Sequence, residues 1–82
     1  MSWYVYIVKC IDGSLYTGIT TDLKRRILEH NSKIGAKSLL GKLPVTLVHQ
    51  EISKNKITAA IREREIKGWR RDKKLNLIEG LP

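Results

Sequence analysis

Two short tyrosine-bearing stretches, Tyr4-Val5-Tyr6 and Tyr16-Thr17-Gly18, set Tyr6 and Tyr16 ten residues apart. Arg26 follows ten residues beyond Tyr16, His30 four later, and far downstream Glu63 stands with Lys67 and Arg70 at intervals of four and three. Phenol, guanidinium, imidazole and carboxylate can divide the labour of hydrolysing a phosphodiester. That reaction needs a deprotonated water, stabilisation of the charge added to the phosphate, and help for a departing oxygen. Arg26 offers a planar, permanently charged fork that suits phosphate geometry, where Lys would be a poorer replacement. Mg2+ often binds through only one or two carboxylates, with waters and phosphate oxygens completing its shell, so a single acid is sufficient in principle. A phenol, whose ordinary pKa is near about 10, acts as a base at neutral pH only beside a cation or a metal-bound water.

Those residues need elements to hold them. Trp3 to Cys10 and Leu15 to Ile19 are dense in Val, Ile, Tyr and Trp around Asp12-Gly13, which predicts a β-hairpin. Because side chains alternate along a strand, a two-residue turn would put Tyr6 and Tyr16 on opposite faces. A three-residue loop with Gly13 left-handed puts them on one face, and shared chemistry demands it. Thr21 or Asp22 caps a helix running to about His30. At roughly 100° per residue, Leu23, Arg26, Ile27 and His30 fall within one arc of about 100°, while Lys24, Arg25 and Glu29 lie outside it. Residues 31–44 read as a long, basic, partly ordered loop, Val45 to Glu51 as a third strand, and Ile57 to Trp69 as a second helix after a turn at Lys54-Asn55. On that helix Glu63, Lys67 and Arg70 line one face, which Ala59 and Ala60 keep low and accessible. A short helix near Lys73 to Glu79 ends the chain. The expected fold is α+β: a three-stranded, largely antiparallel sheet packed with helices in the order β-β-α-β-α-α.

The bulk composition fits one folded domain over residues 1–82. Sixteen Lys and Arg against eight Asp and Glu give +8, so polyanions are the natural partners. No apolar run approaches the roughly 20 residues of a membrane span and no signal peptide is visible, which predicts a soluble, cytoplasmic protein. The lone Cys10 can form no internal disulfide and reads as a packed residue. From Arg62 to Lys74 seven basic residues face three acids, which favours phosphate-backbone contact by Lys67, Arg70, Arg71, Lys73 and Lys74. No residue announces base-specific readout. Trp3 and Trp69 read as packing residues, His49 as an ordinary strand residue, and His30 serves either the proton traffic or the helix dipole.

Taken singly, each candidate has an ordinary explanation: strand tyrosines pack, an arginine in a Lys-Arg-Arg run is solvated, a helical Glu63 pairs with Lys67. Taken together they resemble the paired motif of the GIY-YIG nucleases, with Tyr6 and Tyr16 as the signature tyrosines and Gly18 as the final glycine. The first triplet departs from it, with Tyr4 and Val5 where the family has Gly and Ile. The run from Asp22 to Asn31 is similar to the family's first-helix signature, and Ala59 to Lys67 resembles the helix presenting its metal-binding glutamate. The likeness covers nearly the whole chain and is nearest to the small stand-alone bacterial members. At Ser38, Leu39 and Leu40 the chain lacks the Tyr, Thr and basic residue that those members tend to carry. The resemblance implies an endonuclease using Mg2+ or Mn2+, with Glu63 on the metal, Arg26 on the scissile phosphate, Tyr6 activating or orienting the water, Tyr16 assisting and His30 sharing the proton. DNA is favoured over RNA by analogy alone, and a protein partner for targeting is compatible with so small a chain. The alternatives are a non-catalytic basic nucleic-acid-binding module on the same fold and a protein-interaction module.

Overall fold

The computed structural model describes residues 2–81. Strands β1 (Trp3–Lys9), β2 (Leu15–Thr20) and β3 (Thr46–Ser53) form one antiparallel sheet in the order β2-β1-β3. Helix α1 (Leu23–Asn31) follows the hairpin, while α2 (Lys56–Lys67) and α3 (Arg71–Glu79) follow β3. The order is the one the sequence predicts, and the expected boundaries hold to within two residues, α2 stopping at Lys67 before Gly68. Among the described residues no helix is long and apolar enough to cross a membrane.

Strand β1 is central because it is apolar on both faces: Val5, Tyr6, Ile7 and Val8 are all buried. Tyr6, Val8 and Cys10 point to one side and pack with Leu23 and Ile27 of α1 and with Leu39 and Val45 of the connecting segment. Val5 and Ile7 point to the other and meet Ala59, Ile66, Trp69, Leu77 and Ile78. Helices therefore cover both faces. A bulge in β3 sets Leu47 opposite Val8 but His49 opposite Ile7, so these two residues serve opposite faces.

The hairpin closes as shared chemistry requires. Tyr6 lies opposite Gly18 and Val8 opposite Tyr16, which puts both tyrosines on the α1 face. The Cys10 amide donates to the Ser14 carbonyl across a three-residue loop in which Gly13 has φ of 87°. Asp12 braces the loop by accepting from the Ser14 amide and hydroxyl.

Two expectations are corrected. The 31–44 segment is more ordered than predicted: it holds a 3-10 turn at Lys37–Leu39 with Leu39 buried. The Asn31 side chain ties its ends together, accepting from the Val45 amide at 2.7 Å and donating to the Val45 carbonyl at 3.2 Å. Ala59 does not leave a face of α2 open. It is fully buried against the sheet, its small side chain letting the helix approach closely, and only Ala60 remains partly exposed.

Candidate active site at the edge of the sheet

Asp22, not Thr21, caps α1, accepting from the Arg25 amide at 3.0 Å, and this fixes the phase of the helix. That phase turns His30 inward until only 1% of it is exposed, and its Nε2 lies 2.8 Å from the Tyr6 hydroxyl oxygen. The rings of Tyr6, Tyr16 and His30 form a cluster with centroids 5.5 to 6.4 Å apart. Gly18 makes room for it, since a Cβ there would sit 2.5 Å from the Tyr6 oxygen. The structure places His30 in the last turn of α1 as a buried ring bonded to Tyr6.

Burial raises the Tyr6 pKa above the ordinary phenol value, and the negative groups Tyr16 and Glu63 add to the effect, while the Arg26 guanidinium beside the phenol pulls it back. The His30 pKa is lowered by burial and then by the charge of Arg26, with Glu29 opposing. Both groups are thus held neutral near pH 7.

Arg26 is half-exposed at the rim and donates to Glu29 at 3.1 Å. Glu63 comes from α2 on the opposite face of the sheet, yet reaches the same place. Lys67 of the same helix pairs with Glu63 at 3.5 Å and lies 6.0 Å from the centre of the Tyr16 ring, so this stretch of α2 looks over the free edge of β2. The structure therefore gathers Tyr6, Tyr16 and His30 into one ring cluster with Arg26 beside the Tyr6 phenol, and sets Glu63 near enough for its charge to raise the Tyr6 pKa. This site lies at the sheet edge, apart from a groove of about 340 Å³ lined by Ile57, Ala60, Ile61 and Arg64.

The donor set suits a metal only in part. No group of three or more His, Cys, Asp or Glu side chains is placed to hold an ion among the described residues. Glu63 is a lone carboxylate with a loosely attached, exposed lysine as counter-ion, which fits a Mg2+ or Mn2+ whose remaining ligands are waters and phosphate oxygens.

The five basic residues expected to contact nucleic acid do not gather into one patch. Lys67 borders the site, and Arg71 donates to the Gly13 carbonyl at 2.9 Å, tying the start of α3 to the hairpin loop. Lys73 turns the other way, 4.3 Å over the Trp69 ring, whose other cationic neighbour Arg62 forks onto Glu51 of β3 at 2.8 and 3.0 Å. Arg70 is exposed and Lys74 partly so. His49 joins Glu51 at 2.8 Å, so it belongs to a charge network that the sequence reading missed. Also missed were Glu29 as the partner of Arg26, signalled only by its i+3 spacing, and Ala36, whose amide faces His30 and which nothing in the sequence marks.

The family model described as the GIY-YIG catalytic domain aligns with residues 2–76. The chain belongs to the GIY-YIG domain family. Within it, the chain is 54% identical over 76 residues to a UPF0213 protein of Haloquadratum walsbyi, covering 93% of this chain and 85% of that one. It is 53% identical to a UPF0213 protein of Staphylococcus saprophyticus, with 92% of each covered. The solution structure of a UPF0213 protein from Bacillus halodurans, 46% identical, superposes with a TM-score of 0.62 over 96% of this chain and 84% of that one. A solution structure from E. faecalis, 36% identical, gives 0.67 over 98% and 85%.

Proposed function

We propose that this protein is a metal-dependent endonuclease that hydrolyses phosphodiester bonds of nucleic acid, with DNA as the preferred substrate, acting in the cytoplasm as a single domain. The observation that carries the reading is the convergence of Tyr6, Tyr16, Arg26, His30 and Glu63 from four different elements at the β2 edge. A basic module that only bound nucleic acid would gain nothing from a carboxylate held beside that anionic ligand.

In this reading the phosphate approaches the open side and exchanges places with Glu29 on the Arg26 fork, which then stabilises the charge that builds on the phosphoryl oxygens. Tyr6 orients the attacking water and takes its proton. Burial keeps the phenol protonated in the free protein, so this duty depends on positive charge gathering beside it, from Arg26 first. Tyr16 lines the opposite wall of the ring cluster and assists in placing the water. His30 bonds to the Tyr6 oxygen. Glu63 is the residue that would hold Mg2+ or Mn2+, and a divalent cation there supplies charge that offsets the developing negative charge and favours ionised neighbours. Lys67, which borders the site, contributes phosphate-backbone attraction first, with Arg70, Arg71 and Lys74 adding to it and Lys73, turned toward Trp69, contributing least.

The test is incubation with branched, nicked, linear and single-stranded DNA, and with RNA, in Mg2+ or Mn2+, beside Glu63→Ala. Cleavage that needs the metal and is lost in the variant is the expected result. Tight, salt-sensitive binding with no product from any substrate would instead favour the non-catalytic module.

A further inference from the structure

The imidazole of His30 is engaged at both nitrogens. Nε2 lies 2.8 Å from the Tyr6 oxygen, and the backbone N–H of Ala36 donates to Nδ1 at 3.4 Å. A peptide N–H has a hydrogen to give and no lone pair with which to accept, so this second contact makes Nδ1 the acceptor. A neutral imidazole carries one ring hydrogen, and it must then sit on Nε2. An imidazolium would set two N–H groups against each other, and the reversed tautomer would do the same.

Resting on the reading of the site given above, we propose that the Gly35-Ala36 backbone is a positioning element that keeps the His30 proton on Nε2, so that the imidazole donates to the Tyr6 oxygen and cannot remove the Tyr6 proton. Glycine is required next to the contact: a Cβ at position 35 would collide with Nδ1 and lie 2.9 Å from the His30 Cα. The consequence is directional. The Tyr6 hydroxyl hydrogen points away from His30, and Nε2–H stabilises the phenolate by donation once that hydrogen has passed to solvent water. The groups facing the ring, Tyr6 from β1, Tyr16 from β2 and Arg26 and Glu29 from α1, leave no carboxylate bonded to Nδ1 to favour the opposite tautomer. A relay in which His30 takes the Tyr6 proton needs a lone pair on Nε2, which this arrangement denies.

Long-range 1H–15N correlation of the His30 ring at neutral pH reads the tautomer on the unmodified, 15N-labelled chain, with the signals assigned by their loss in His30→Gln. The expected result is a protonated Nε2 and a bare Nδ1. A hydrogen on Nδ1, or on both nitrogens, overturns the proposal. In Gly35→Ala, which pushes the Ala36 amide off the ring, the two nitrogens should move toward an averaged state; an unchanged tautomer would mean the backbone does not set it. In cleavage, His30→Gln keeps a donor near the Nε2 position and should lose clearly less activity than His30→Leu. His30→Leu should fall by about ten- to a hundredfold, the worth of one hydrogen bond to a charged group. Equal losses in both variants also overturn it. A chain that cleaves nothing yet shows the expected tautomer would sink the nuclease reading and leave the positioning role standing.

Discussion

Tyr6 and His30 are buried together, and burial opposes the ionisation of both. The pair therefore records its environment in the pH dependence of folding. The folded His30 pKa lies below its ordinary value of 6.5, so as the pH falls through that value the unfolded chain takes up a proton that the folded ring refuses. Stability from His30 is full above pH 6.5 and is lost as the pH drops toward the folded pKa. Glu51, whose pKa Arg62 holds below 4.5, adds its own loss only at lower pH. At the alkaline end the raised Tyr6 pKa acts in reverse: its contribution is complete below pH 10 and disappears as the pH climbs through the folded value. Urea midpoints measured between about pH 8 and 5 should fall below about 6.5 in the native chain and much less in His30→Gln. Parallel profiles for the two would contradict the account of His30.

The hairpin and the two helices flanking it set the geometry, and their control points are small residues. Gly18 lies opposite Tyr6 in the β1-β2 ladder, where any Cβ meets the phenol oxygen. Gly18→Ala should therefore cost about 1–3 kcal/mol in folding free energy and depress cleavage by displacing Tyr6. A variant as stable and active as the native chain would mean that the close approach has no consequence. Much of this was legible in the sequence. The hairpin register follows from Asp12-Gly13 and the demand that two tyrosines share a face, and α1 follows from the Asp22 cap and the spacing of Leu23, Ile27 and His30. What was hidden depends on approach between distant segments. The bulge at Val48, the burial of Ala59 and the contact of Ala36 with His30 are decided by how layers meet, and no local pattern encodes them. Glu63 was found by resemblance; that α2 sets it beside tyrosines on the other face of the sheet became visible only in three dimensions.

Over the whole molecule, a net charge of +8 acts on any polyanion, but its distribution is uneven. Lys67 and Arg71 flank the β2 edge, while Lys73 and Arg62 both lie over the Trp69 ring, toward β3. Nucleic acid seated on the candidate site should bind with a negative slope of log affinity against log salt, and Lys67→Ala should reduce that slope by about one unit. Lys73→Ala should change it far less, and the opposite ranking would put the polyanion on the other side of the molecule. The central claim, that residues from both faces of the sheet form one hydrolytic centre, is tested most directly by the single-turnover rate on the preferred substrate in Mg2+. Native protein should be compared with Tyr6→Phe, Arg26→Lys and Glu63→Gln, each at a concentration that saturates binding. The account predicts metal-dependent cleavage that falls by at least about a hundredfold in every variant while binding persists. Native-like rates in any one of them, or no cleavage by the native protein on any substrate, would contradict it.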